Sequence, residues 1–209
     1  MNIHRHTHGF PQVWDGMSTA SSGSGRSSGT HLSGIIRQLA VKHNIFPAET
    51  QKYDSARLLR FNVGFAWEHW CVRHLPGAIH QPGECYLDGI YMSPDAITLD
   101  DNGYLTLHEF KATWKSAATP IQDGMVYWLW QVMGYLAGLS AKYHEQYTVA
   151  VIHPLYLNGD YRDHRHPMYG PDPDHPGPVR LEFEWREIEA NWELMVASKG
   201  MAEKEDWTQ

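Results

Sequence analysis

Residues 90–112 read IYMSPDAITLDDNGYLTLHEFKA, and they carry the strongest local signal in the chain. Residues 90–99 and 104–112 are rich in β-branched, aromatic and aliphatic side chains, while DDNG at 100–103 supplies turn chemistry between them. The stretch predicts a β-hairpin. Side chains two apart on a strand emerge on one face. Leu105, Leu107, Glu109 and Lys111 therefore share a face, apolar first and charged last, at the edge of a packed surface. His108 points to the opposite face as a core or surface histidine. Asp95, preceded by Pro94, lies on the partner strand, where the turn brings it towards Glu109 and Lys111. Two acids and a lysine are expected to converge on one point.

Outward from the hairpin, residues 54–74 predict a helix with Asp54 as N-cap and Leu58, Phe61, Phe65 and Val72 as an apolar stripe. Arg60, Gly64 and Glu68 stand four apart on it and share one face. A shorter helix is expected over 32–43, with Ile35, Ile36, Leu39 and Ala40 at helical spacing. After the hairpin, Thr119 as cap and Pro120 at the first position open a helix to about Leu139. YTVAVI at 147–152 reads as a strand, residues 154–178 as a loop, 179–185 as a strand, and 186 to about 202 as an amphipathic helix. The order helix, strands, helix, strand, strand, helix predicts an α/β domain around a small mixed sheet. Residues 1–30, with a Ser/Gly tract over 21–30, read as a flexible polar N-terminal arm, and 31–209 as one domain.

Composition narrows the function classes. The 209 residues are 42% apolar, enough for one domain with a core. No run approaches the roughly 18 apolar residues of a membrane span, and no basic-then-apolar leader pattern is visible. Cys71 and Cys85 are too few for a disulfide framework or a four-cysteine cluster, so a reducing cytoplasm is the simplest setting. The net charge of −7 rules out a generic polycation, yet a site holding divalent cations attracts phosphate locally whatever the overall charge. Nine tryptophans and eleven tyrosines serve core packing first and base stacking second. His4, His6 and His8 in the arm lack zinc-like spacing, as do Asp160, Asp163, His164, His166, Asp172, Asp174 and His175 in the late loop. They read as tail and loop.

A point where Asp95, Glu109 and Lys111 meet suits phosphodiester hydrolysis. Carboxylates are hard oxygen ligands for Mg²⁺, which retains waters and accepts phosphate oxygens. The ion neutralises charge building on the phosphoryl group and acidifies a bound water. A nearby ammonium orients or helps deprotonate that water. The plainer alternatives are a solvated Glu109–Lys111 ion pair and a turn-capping Asp95. Gln131, amid Tyr127, Trp128, Trp130, Val132 and Met133, needs a polar partner. Arg60 reads either as a phosphate contact or as a salt-bridge residue.

Pro94-Asp95 followed after a gap by Glu109-Phe110-Lys111 resembles the signature of the PD-(D/E)XK nuclease superfamily. Gln131 and Tyr135, four apart on the following helix, resemble the QxxxY motif of the branch containing lambda exonuclease and RecB-type nucleases. Gly64 to Glu68 resembles that branch's GxxxE-like first motif. The resemblance spans about 54–202. It implies a restriction-endonuclease-like core, a small central mixed sheet flanked by helices. It also implies Mg²⁺, with Mn²⁺ able to substitute, held by Glu68, Asp95, Glu109 and the carbonyl of Phe110. Lys111 would then activate water, Gln131 orient Lys111 or the nucleophile, and Tyr135 support the site or meet the DNA backbone.

The activity implied is that of a phage-type exonuclease in DNA recombination, repair or processing. The branch's arginine-containing N-terminal motif for a terminal phosphate is not seen, which keeps a structure-specific endonuclease open. A head-completion or virion-associated protein with a nuclease fold, structural and non-catalytic, is a further alternative. DNA is the implied partner, with phage recombination or virion proteins and a second copy of the chain as further candidates and no membrane. The expected location is the cytoplasm, that of the host if the protein is viral, or the virion.

Overall fold

The computed structural model describes residues 27–46, 55–113, 125–157 and 178–202, and the side chains of 55–61 and of 201–202 stand outside that description. The chain runs through α1 (Leu32–Lys42), α2 (Ser55–His74), β1 (Ile79–His80), β2 (Cys85–Leu87), β3 (Ile90–Met92), β4 (Ala96–Leu99) and β5 (Leu105–Thr113). It continues through α3 (Val126–Tyr143), β6 (Val149–Tyr156), β7 (Val179–Glu182) and α4 (Trp185–Ala202). A five-stranded sheet has the order β1-β4-β5-β6-β7, and β2 and β3 form a separate two-stranded ribbon. The β5–β6 pair is parallel and the others are antiparallel, so the sheet is mixed, as the order of elements implied.

Side-chain alternation divides the sheet into two faces. Ile97, Leu105, Leu107, Ala150 and Ile152 point to one face and form the main core with α1, α3 and α4. Ala96 and Phe110 point to the other and join Cys71 of α2 in a smaller cluster. Helices thus cover both faces, and β5 contributes a buried row to each.

The turn at 100–103 forms as its residues dictate. Asp100 Oδ1 accepts from the backbone N–H groups of Asn102 and Tyr104 at 2.9 and 2.8 Å. Gly103 takes φ +82°, a conformation glycine adopts without steric cost. The result is a β4–β5 register of Leu99↔Leu105 through Ala96↔His108.

Four expectations need correction. The hairpin's first arm is not one strand: Ile90–Met92 pairs with Cys85–Leu87 in the ribbon, and only Ala96–Leu99 pairs with β5. Pro94 has no N–H to give a ladder, so the chain changes sheets there. The strand expected over 147–152 runs on to Tyr156, through Pro154. Among the described residues, pairing with β7 covers only Val149–Ile152, which leaves Pro154 without a ladder partner on that side, where a proline is tolerated. The α2 stripe does not face a core at Phe65, which is 47% exposed. The third helix starts at Val126, after Met125 at φ −139°, and extends to Tyr143. Thr119 and Pro120 lie outside the described residues, as do Asp54, the arm over 1–26 and the late His/Asp loop. Residues 27–30, at the end of the stretch read as the arm, are docked. Ser27 donates to Glu84, and the Thr30 carbonyl accepts from Tyr91 N–H.

Candidate active site

Glu109 and Lys111 sit on β5, on the face where Leu105 and Leu107 form core, and Glu109 is only 1% exposed. Extending the β4–β5 register one step beyond Ala96↔His108 sets Asp95 opposite Glu109. The three residues converge. Asp95 Oδ2 accepts from the Phe110 N–H at 2.9 Å, and its carboxyl lies close enough to that of Glu109 to feel its charge. Lys111 Nζ donates to Glu109 Oε1 at 2.5 Å and to Gln131 Oε1 at 2.9 Å. Gln131 Nε2 donates to the Tyr135 hydroxyl at 2.7 Å. The polar partner that Gln131 required is therefore Lys111 on one side and Tyr135 on the other. Four apart on α3, the two stack along its sheet-facing side, and this chain fixes which way the amide points.

Crowding acids in a dry place changes their charge. Burial, then the neighbouring Glu109, and less strongly Glu68, push Asp95 well above the usual carboxylate range against the pull of Lys111. Burial also raises Glu109, although Lys111 opposes it. Lys111 is itself part-buried, which works against its charge, but Glu109 and Asp95 outweigh that and hold the ammonium above its ordinary value. At neutral pH it is a fixed cation.

Glu68 reaches the edge of this group from α2. Its Oε1 is 2.8 Å from His80 Nε2 on β1, and its field is felt at both Asp95 and Glu109. Arg60 belongs to the same helix, but its side chain lies outside the described residues. Phe110 turns its ring to the opposite cluster, while its N–H holds Asp95.

On the far face, His108 is buried as a core histidine. Its Nε2 is 2.9 Å from Thr98 Oγ1 and its Nδ1 is 2.9 Å from His153 Nε2. Sequence reading missed His80 and His153. Their significance comes from pairing β1 with β4 and β6 with β5, contacts distant in sequence that no local pattern signals.

Whether a divalent cation fits is a question of donors. Among the described residues no three His, Cys, Asp or Glu side chains gather closely enough to hold a metal by themselves, with Glu68 bonded to His80. The Asp95–Glu109 pair fits in its chemistry. These are hard oxygen donors, and Glu109 Oε2 is buried without a hydrogen-bond partner. An orphaned carboxylate oxygen is costly, and a cation would satisfy it.

A scan against protein-family models finds no match, and neither does a comparison with curated proteins. Solved structures are similar. That of SSO0001 superposes with a TM-score of 0.51 at 14% identity, covering 90% of this chain and 84% of its own. LHK-Exo in complex with dAMP gives 0.48 at 13% identity, covering 84% and 88%. A phage-related exonuclease from Haemophilus somnus 129PT gives 0.47 at 12%, covering 80% and 78%. The likeness is one of fold, an α/β domain with a central mixed sheet flanked by helices.

Proposed function

We propose that this chain is a metal-dependent deoxyribonuclease that hydrolyses phosphodiester bonds at the Asp95–Glu109–Lys111 site. The observation carrying this reading is Asp95 set against the buried Glu109 carboxylate beside the part-buried Lys111 ammonium, with one Glu109 oxygen left unsatisfied. A structural ion pair has no use for the second acid. Crowding Asp95 against Glu109 stores repulsion that a ligand of opposite charge would release.

Asp95 and Glu109 would hold Mg²⁺, or Mn²⁺ in its place, with Glu68 and the Phe110 carbonyl completing the set. Bound there, the ion supplies Lewis-acid stabilisation of phosphoryl charge and a more acidic water. The chain's own residues do the rest. Lys111, kept protonated by its two acidic neighbours, donates a proton to no one at rest. It offers N–H bonds to a phosphoryl oxygen as charge develops and orients the attacking water, rather than serving as the base. Gln131 fixes the ammonium's direction through its Oε1 and is itself fixed by Tyr135. The resemblance extends the reading to an exonuclease acting on duplex ends in recombination or repair, with DNA as substrate.

Incubation of linear and circular duplex DNA with Mg²⁺ or Mn²⁺ tests this. End-dependent loss of linear DNA is the expected result, and nicking of circles would reassign the protein as an endonuclease. Lys111→Ala should slow cleavage by about 10²–10³-fold, the cost of removing one preorganised donor, and Asp95→Asn by at least as much. No metal-dependent cleavage of either DNA would overturn the proposal.

A further inference from the structure

Helix α2 carries a second feature that the active-site chemistry does not use. Trp67 and Trp70 stack with ring centroids 5.3 Å apart and planes 11° from parallel. His74 extends the column, 4.5 Å from Trp70 and 29° from parallel. The column is pinned at both ends. The Trp67 indole N–H donates to the His153 carbonyl at 2.8 Å, and His74 Nδ1 is 2.7 Å from the Trp70 carbonyl. Yet Trp70 is 54% exposed, and His74 is exposed too. A pinned ring stack on the surface loses nothing further in ordering when another flat ring joins it.

Charge points the same way. The chain carries −7 overall, but α2 holds three arginines (Arg57, Arg60 and Arg73) against one acid, Glu68. That acid is engaged with His80. A polyanion is therefore favoured on this helix within an acidic protein. Trp67, the inner ring of the column, packs against the cluster that includes Phe110, whose N–H holds Asp95, so the column abuts the strand that carries the acid pair.

We infer that the Trp67–Trp70–His74 column is a stacking surface for the bases of an unpaired DNA strand next to the site. The inference rests on the nuclease reading for its choice of polyanion. A duplex cannot use the column, because its base faces are covered. Unpaired bases can, through aromatic stacking that tolerates any sequence. The substrate class is thus DNA with a single-stranded segment, the open part of Trp70 and the outer ring of His74 taking the bases.

Binding measured in EDTA tests this without any hydrolysis. Fluorescence anisotropy of a labelled single strand, an abasic strand of equal length and a blunt duplex is read with wild type, Trp70→Ala and Trp70→Phe. Wild type should bind the intact strand about tenfold more tightly than the abasic one, the scale of one stacked base. Trp70→Ala should lose that difference and Trp70→Phe keep most of it. Arg73→Ala should weaken intact and abasic strands alike. Equal binding of intact and abasic strands by wild type would overturn the inference even if Trp70→Ala failed to fold, and so would an undiminished preference in Trp70→Ala. Absence of cleavage with Mg²⁺ would overturn the nuclease reading alone, since the base preference is measured separately.

Discussion

Glu109 spends one oxygen on Lys111 and leaves the other buried and unpartnered, while Asp95 is pushed far up its titration scale beside it. An unfolded aspartate ionises near pH 3.9. Because the folded value lies well above that, the folded state holds a proton that the unfolded state has lost in the interval between them. The associated stability is complete below the unfolded value and disappears as pH rises through the folded one. At neutral pH without a cation, Asp95 is thus a liability to the fold. Asp95→Asn keeps an oxygen for the Phe110 N–H and gives Glu109 a permanent donor. It should raise the unfolding free energy in EDTA at pH 7–8 by roughly 1–2 kcal/mol, a few degrees in Tm, with the gain shrinking as pH falls. Divalent cation should raise Tm in wild type and not in the variant. A wild-type Tm in EDTA equal to or above that of Asp95→Asn would show that the acid pair is not under strain. Function and stability pull apart at one atom.

Helices and strands were legible where their signals were local. The Leu105–Leu107–Glu109–Lys111 row follows from alternation alone, and Asp100 and Gly103 announce the turn that sets Asp95 against Glu109. Gln131 was readable as a residue in need of a partner because its neighbours on α3 are apolar. The break at Pro94 was harder, since proline signals an end of pairing but not which sheet the residues before it join. The parallel β5–β6 pair, which brings His153 to His108, is set by a connection through α3 and leaves no local trace. Two element-level consequences can be measured. A Cβ on Gly134 would stand 2.5 Å from Leu32 Cδ2, so α1 and α3 approach closely only because that side chain is missing. Ala gains about 1 kcal/mol in helix propensity, but overpacking against the buried Leu32 costs about 1–3. Gly134→Ala should therefore lower the urea midpoint, and a raised midpoint would mean that Leu32 moves freely. Burial holds His108 down at about 4, with His153 adding to it, and His153 is likewise held at about 4 by burial. Unfolded, both titrate near 6.5. Their contribution is fully present above pH 6.5 and is lost as pH falls towards 4, up to about 3 kcal/mol per imidazole. Denaturation across that range should show the loss in wild type. The double variant His108→Gln/His153→Gln should show a flatter profile, and identical profiles would contradict the assignment.

Among the described residues, burial is uneven about the sheet. One face carries the large core, in which α3 buries Val132 and the whole run from Gly134 to Ser140 against α1, α4 and the strands. The other face has the small cluster of Cys71, Ala96 and Phe110. Among the described side chains of α2, Cys71 alone is fully buried. Segments with few buried apolar contacts open at lower free energy than the global transition. Amide hydrogen exchange should therefore reach α2 well before α3, β5 or β6, with opening free energies lower by several kcal/mol. Glu68 rides on that weakly held helix and faces Asp95 and Glu109 across the gap. If it joins them around a cation, binding ties α2 to the sheet, because a ligand stabilises the state that binds it. Mg²⁺ should then slow exchange selectively in α2, and Glu68→Ala should abolish the slowing while leaving the protection of α3 as it was. Uniform slowing across all helices would mean that the cation acts on the fold at large. No slowing in α2 would remove Glu68 from the set of ligands and leave Asp95 and Glu109 to bind the ion alone.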